Sequence, residues 1–288
     1  MQNNYDDILV VHLGGLGDIC LAESVFLSLC RHFGNRLAGL GNRRFLDLFS
    51  MHFTKTFGVE SRHWLYLFSE KMSGPDWRRI AFIGKDRRGN IRRRWRSYSR
   101  EELIFIDMYP EGSFPDPEKP GGSAREEKIY IEEYQLRQLK TFGIEPVQAA
   151  VIPKKGSRVI LYPEKSFTKG KWAPENFITL KELLAAEGID AVLMKPPDLD
   201  LPGISVAIQD LAEVQEFFGP GGIFVSNDSG MAHFAGACGL VTVTVFADFD
   251  PAIWHSRGRN ISLQLNVDDV CVETVGNMIR DVVKKQGQ

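Results

Sequence analysis

Residues 223–233, IFVSNDSGMAH, hold the groups of this chain best suited to chemistry. The apolar start reads as a strand, and Ser226, Asn227, Asp228, Ser229 and Gly230 favour a turn or a helix cap. The first N–H groups of a helix lack intrahelical partners and carry partial positive charge, so a helix opening here makes a phosphate cradle. Ser229, Gly230, Met231 and His233, one turn in, can offer hydroxyl, backbone and imidazole donors to one anionic group. The plainer reading is an ordinary N-capped helix with Asp228 or Ser229 as its cap. A second candidate is Asp18, which ends the turn Gly14, Gly15, Leu16, Gly17. Glycines let a ligand approach the backbone, and a carboxylate there is either a general base or a first-turn acid complementing the helix dipole. The third is 85–100, KDRRGNIRRRWRSYSR, with seven arginines around Trp95 and Tyr98. Such a run is commonly a solvated face, but guanidinium forks also match phosphate and carboxylate.

The elements that position these groups alternate between strand and helix. In the first half, strands are expected at 8–13, 80–84 and 103–108 and helices at 19–33, 44–51 and 125–142, with a Pro- and Gly-rich loop at 111–124. Residues 146–156 read as a linker. The second half restarts with strands at 159–162, 191–194, 223–225 and 241–246 and helices at 174–187, 211–218 and 230–239. The last of these carries Ala232, Ala235, Gly236 and Ala237, a small-residue face for close packing. This order predicts two parallel α/β units joined near residue 153. Ligands then bind at the carboxyl ends of the strands, at 14–18, 163–171 and 227–233.

Composition narrows the field. The chain has 288 residues, 43% hydrophobic and 25% charged, suiting two globular domains. Thirty-five Lys and Arg against 37 Asp and Glu give a bulk charge that points to neither a nucleic-acid nor a membrane partner. No basic-then-apolar leader and no apolar stretch near the roughly 18 residues of a spanning helix is present, so a cytoplasmic protein is expected. Cys20, Cys30, Cys238 and Cys271 form no CxxC pair and read as buried thiols rather than metal ligands. The dinucleotide fingerprint lacks its third glycine, which disfavours a nicotinamide oxidoreductase.

Three stretches carry a resemblance to a known family. LGGLGD at 13–18, YPEKSFTKGKWAPENF at 162–177 and FVSNDSGMAHFAGACG at 224–239 resemble the strand and Gly-Asp turn, the Lys-Trp-Pro-Phe segment and the Asp-Thr/Ser-Gly-x-x-His signature of the heptosyltransferase-like glycosyltransferases, family 9. FADFDPAIW at 246–254 is similar to a further Pro and Trp stretch of that family. The resemblance implies a GT-B fold, two Rossmann-like domains facing across a central cleft. Residues 1–153 would bind the acceptor and 154–288 the nucleotide-sugar, with the last helix able to pack back on the N-terminal domain. It implies inverting, metal-independent transfer of a sugar, heptose from ADP-heptose, to a lipopolysaccharide-core or related glycan. No cofactor is implied beyond the donor substrate. Its acidic base falls on Asp18. Its donor-binding residues fall on Gly15, Gly17, Ser166, Lys169, Lys171, Asp228, Ser229, Gly230, Met231 and His233. An anionic glycan or glycolipid acceptor would be met by Arg92, Arg93 and Arg94, with peripheral contact at the cytoplasmic face of the inner membrane. Lys195, Pro196, Pro197 and Asp198, and Ala247, Asp248 and Phe249, depart from the family's loops. The alternatives are a nucleotide-binding relative without transferase activity and a transferase using another nucleotide-sugar.

Overall fold

The computed structural model describes residues 7–113, 128–164, 172–196, 206–207, 210–265 and 270–286. The chain divides into two compact units, Met1–Glu111 with Ile131–Ala149, and Gly112–Tyr130 with Ala150–Gln288.

Unit 1 contains β1 (Ile8–His12), α1 (Leu16–Leu21), α2 (Glu23–Phe33), β2 (Leu37–Gly41), α3 (Arg43–Leu46), β3 (Lys55–Gly58), α4 (Leu65–Phe68), β4 (Arg79–Gly84), α5 (Asn90–Trp95), β5 (Ile104–Asp107) and α6 (Ile131–Leu139). All pairings are parallel, in the order β3-β2-β1-β4-β5. A central parallel strand is covered on both faces, and all five residues of β1 are buried. Side chains alternate along it. Leu9 and Val11 join a core of Trp64, Tyr66, Trp77, Phe82 and Trp95, while His12 meets Phe26 of α2 edge-on at 6.0 Å.

Unit 2 contains β6 (Val159–Tyr162), α7 (Pro174–Ala186), β7 (Ala191–Lys195), β8 (Val206–Ala207), α8 (Leu211–Phe217), β9 (Ile223–Asn227), α9 (Gly230–Ala237), β10 (Val241–Phe246), α10 (Pro251–Trp254), β11 (Asn260–Gln264) and α11 (Val272–Gln286). Its parallel order is β11-β10-β9-β6-β7-β8. Val159, Leu161, Ile223, Val225 and Val243 pack beneath Phe177, Leu180, Ile279 and Val282 of α7 and α11. Phe224 meets Phe218 on the other face, at 5.4 Å. In both sheets the strand order reverses beside the first strand, between β1 and β4 and between β6 and β9, and such switch points leave a crevice at the carboxyl ends.

Several expectations need correction. The helix expected at 19–33 starts at Leu16 and is two helices, with Ala22 (φ −90°, ψ 0°) as the turn residue between them. The helix expected from 125 begins at Ile131, residues 128–130 being irregular. Cys20 and Cys30 are buried, but Cys271 is exposed. Its Sγ accepts the Thr274 N–H at 3.4 Å, acting as a cap at the start of α11.

Candidate donor and base sites at two strand ends

Gly15 is the N-cap of α1, so Gly17 and Asp18 lie inside its first turn. The Asp18 carboxylate turns back and accepts the Gly15 N–H at 2.8 Å. Burial pushes its pKa up, against this bond, which lowers it. A more basic carboxylate is a stronger proton acceptor once ionised. Gly14 lies against both Asp18 and His12. A Cβ on Gly14 would stand 2.7 Å from Asp18 Cβ and 2.8 Å from His12 Cε1. The turn therefore requires glycine for close approach. His12, which the sequence reading passes over, is fully buried. Its Nδ1 accepts the Gly14 N–H at 3.2 Å, and its Nε2 has no hydrogen-bond partner among the described residues. Burial lowers its pKa to about 3, so the ring is neutral. The signal available was a polar residue ending an otherwise apolar strand, just before the glycines.

In unit 2, Ser229 caps α9, its Oγ accepting the Ala232 N–H at 3.3 Å. That leaves the Gly230 and Met231 N–H groups without an intrahelical acceptor. His233 is one turn in and buried, and its Nδ1 has no partner among the described residues. Its Nε2 lies 3.8 Å from Asp228 Oδ1. Burial, and then His255, lower the His233 pKa to about 4. Burial, and then Glu164 after β6, raise the Asp228 pKa to about 7. At neutral pH the imidazole is thus uncharged, and the two groups form no ion pair. The small-residue face of α9 is used as expected: a Cβ on Gly236 would meet Arg257 O at 2.5 Å.

Ser166, Lys169 and Lys171 lie outside the described residues, but both flanks of that stretch reach this edge. Glu164 acts on Asp228. On the other side Asn227 grips the Trp172 backbone, accepting its N–H at 3.0 Å and donating to its carbonyl at 3.1 Å. Asp248, named above only as a departure from the family's loops, and Asp250 have the spacing of a metal-holding pair after β10. Asp250 is committed elsewhere, capping α10 at 2.9 Å and pairing with Lys128 at 2.6 Å.

The arginine run does not act as one surface. Arg94 turns inward, donating to the carbonyls of Leu67 at 3.0 Å and Tyr66 at 2.6 Å, and also to that of Ser69. It caps the orphan carbonyls at the end of α4, a structural role rather than the acceptor contact expected for it. Trp95 is likewise buried, donating to Leu67 O at 2.7 Å. Arg92 and Arg93 are exposed. Arg92 stacks over Phe105 at 4.4 Å, and Arg93 donates to Asn90 at 2.6 Å.

No family model matches the sequence, and no curated protein matches it. Solved structures do. A glycosyl transferase family 9 protein from Veillonella parvula DSM 2008 has a TM-score of 0.71 at 12% identity, covering 99% of each chain. E. coli ADP-heptose lps heptosyltransferase II has a TM-score of 0.66 at 13% identity, covering 98% of this chain and 100% of the other. E. coli heptosyltransferase WaaC with ADP has a TM-score of 0.64 at 13% identity, covering 97% and 99%. At these identities the likeness is one of fold, and across nearly its whole length this chain has the GT-B fold of the heptosyltransferase-like glycosyltransferases.

Proposed function

We propose that this chain is an inverting, metal-independent glycosyltransferase that moves heptose from ADP-heptose to an anionic glycan of the lipopolysaccharide-core type. The observation that carries the reading is the start of α9. There a buried imidazole with an unpartnered Nδ1 stands beside unshared helix N–H groups at the sheet's switch point. That set of donors suits a diphosphate. Ser229, Gly230, Met231 and His233 would hold it. A lysine from Lys169 or Lys171 would join them, supported by the anchoring of Glu164 and Trp172 at the same edge. WaaC with ADP-2-deoxy-2-fluoro heptose, TM-score 0.60 and 13% identity over 97% of this chain, supports the choice of nucleotide and sugar.

In the reaction, Asp18 removes the proton of an acceptor hydroxyl as its oxygen attacks the anomeric carbon. The bond from that carbon to the diphosphate oxygen breaks, and ADP leaves with the electron pair. The donors at α9 stabilise the charge that develops there. Gly15 and Gly17 let the substrates approach the backbone, and Arg92 and Arg93 would meet acidic groups of the acceptor. Asp18→Asn keeps the bond from Gly15 N–H through its amide oxygen but cannot take a proton. It should bind ADP as the wild type does and lose about 10² to 10⁴ in turnover with ADP-heptose. Wild-type turnover in that variant would remove Asp18 as the base. A wild-type protein that binds ADP yet releases no heptose to any glycan would instead favour the nucleotide-binding relative.

A further inference from the structure

We propose that a basic cleft at the amino ends of the unit 1 strands binds a small phosphomonoester, apart from the two strand-end sites described above. The cleft measures about 530 Å³, and its walls include His32, Phe33, Arg36, Arg78, Arg79 and Glu101. That volume suits one small molecule. Phe33 ends α2, Arg36 precedes β2 and Arg79 opens β4, and β2 and β4 flank β1 in the sheet. Arg79 pairs in register with Ile8, and Ile83 with His12. At about 3.3 Å of rise per residue these two rungs lie roughly 13 Å apart, so the cleft and the Asp18 turn stand at opposite ends of the sheet. The cleft is therefore not where an acceptor hydroxyl would meet Asp18.

The charge of the cleft is unbalanced. Glu101 accepts from Arg78 Nε at 2.8 Å and pairs with Arg79 Nη2 at 2.9 Å, and the Arg78 bond holds its carboxyl below the usual range, so it is ionised. That is one negative charge, and the carboxyl end of α2 adds roughly half of another. Three guanidinium groups stand against them, leaving a surplus of roughly one and a half positive charges. Among the described residues the Arg36 side chain has no hydrogen bond or ion pair, and Arg79 Nε is buried without a partner. The Arg79 guanidinium rests over Phe33, 5.7 Å from the ring centre. A phosphomonoester carries about −1.5 to −2 at pH 7 and offers three acceptor oxygens, matching both the surplus and the guanidinium forks. A single carboxylate would leave part of the surplus unmatched. The rings of His32 and Phe33, edge to face at 4.7 Å, give the organic part of the ester an aromatic wall. The inference stands on unit 1 alone and does not require the transfer reaction.

Full-length protein is titrated calorimetrically with phenyl phosphate, with phenol as the uncharged control. Wild type should bind phenyl phosphate and not phenol. Arg36→Gln should weaken binding by about tenfold and keep the wild-type circular dichroism melt, since that side chain has no partner among the described residues to lose. Glu101→Gln should tighten binding, because it removes the carboxylate that competes for the same guanidinium groups. Excess ADP should leave the affinity for phenyl phosphate unchanged. Wild type that takes up no phenyl phosphate, wild type that binds phenol equally, Arg36→Gln that binds like wild type, Glu101→Gln that binds no more tightly, or competition by ADP would each overturn the proposal.

Discussion

Asp228→Asn should abolish most of the pH dependence of ADP binding between pH 6 and pH 8. The Asp228 carboxyl faces the start of α9, and its pKa stands at about 7 through burial and the nearby Glu164. At pH 6 it is mostly neutral and at pH 8 mostly ionised. An ionised carboxylate within reach of the same anion as His233, whose Nε2 is 3.8 Å away, repels a diphosphate. If ADP binds only the neutral form, linkage makes the wild-type affinity fall about tenfold across this window, or about 1.4 kcal/mol. Titration calorimetry at the two pH values measures it. The ratio of wild type to variant cancels the ionisation of ADP itself. Buffers of differing ionisation enthalpy should also reveal proton uptake by the wild type near pH 7.5. The sign for folding follows from the same shift. A carboxyl whose folded pKa is raised contributes stability that is full below the unfolded value and lost as pH rises through about 7, so Asp228→Asn should melt above wild type at pH 8. Parallel pH profiles of affinity in wild type and variant would refute the argument.

Two other substitutions probe single contacts. Arg94→Gln should lower stability in urea by about 2 to 4 kcal/mol, because three carbonyls lose a charged donor, whereas exposed Arg93→Gln should change it by about 0.5 kcal/mol or less; equal midpoints for the two would remove Arg94 as a cap. Gly14→Ala should lower turnover while sparing ADP affinity, because its Cβ would stand 2.7 Å from Asp18 Cβ and displace the carboxyl; unchanged kcat would mean that the geometry of this turn is not used.

Parts of the architecture were legible because apolar, β-branched runs such as ILVV and VTVTVF have few alternatives to a buried parallel strand. β2 was not, since Leu-Ala-Gly-Leu-Gly has poor strand propensity. Its glycines answer to tertiary crowding instead: a Cβ on Gly41 would meet His12 O at 2.1 Å. The α9 stretch was legible because capping is local chemistry, and its Ser229 cap and small-residue packing appear in place. The role of Arg94 was hidden because three identical residues in a row differ only in which way the helix turns them. His12, Glu164 and Asn227 were missed because what they do depends on groups brought together by folding. Asn227 acts on Trp172, 55 residues away in sequence.

The two strand ends share an electrostatic device that no single stretch of sequence displays. Each puts a carboxyl whose pKa is raised by burial, Asp18 or Asp228, beside a histidine whose pKa is lowered by burial, His12 or His233. Burial disfavours charge of either sign, so both edges minimise their charge without an ionic partner. Under the proposed function, the affinity for an anion at the α9 edge would depend on neutral donors and on a carboxyl that ionises near pH 7. At the α1 edge the proposed use is the opposite. The Gly15 N–H bond opposes the upward shift of Asp18, while burial makes the carboxylate more basic than a solvated one. The two carboxyls differ in what else acts on them beside burial: at Asp18 a backbone N–H opposes the upward shift, and at Asp228 the carboxylate of Glu164 adds to it.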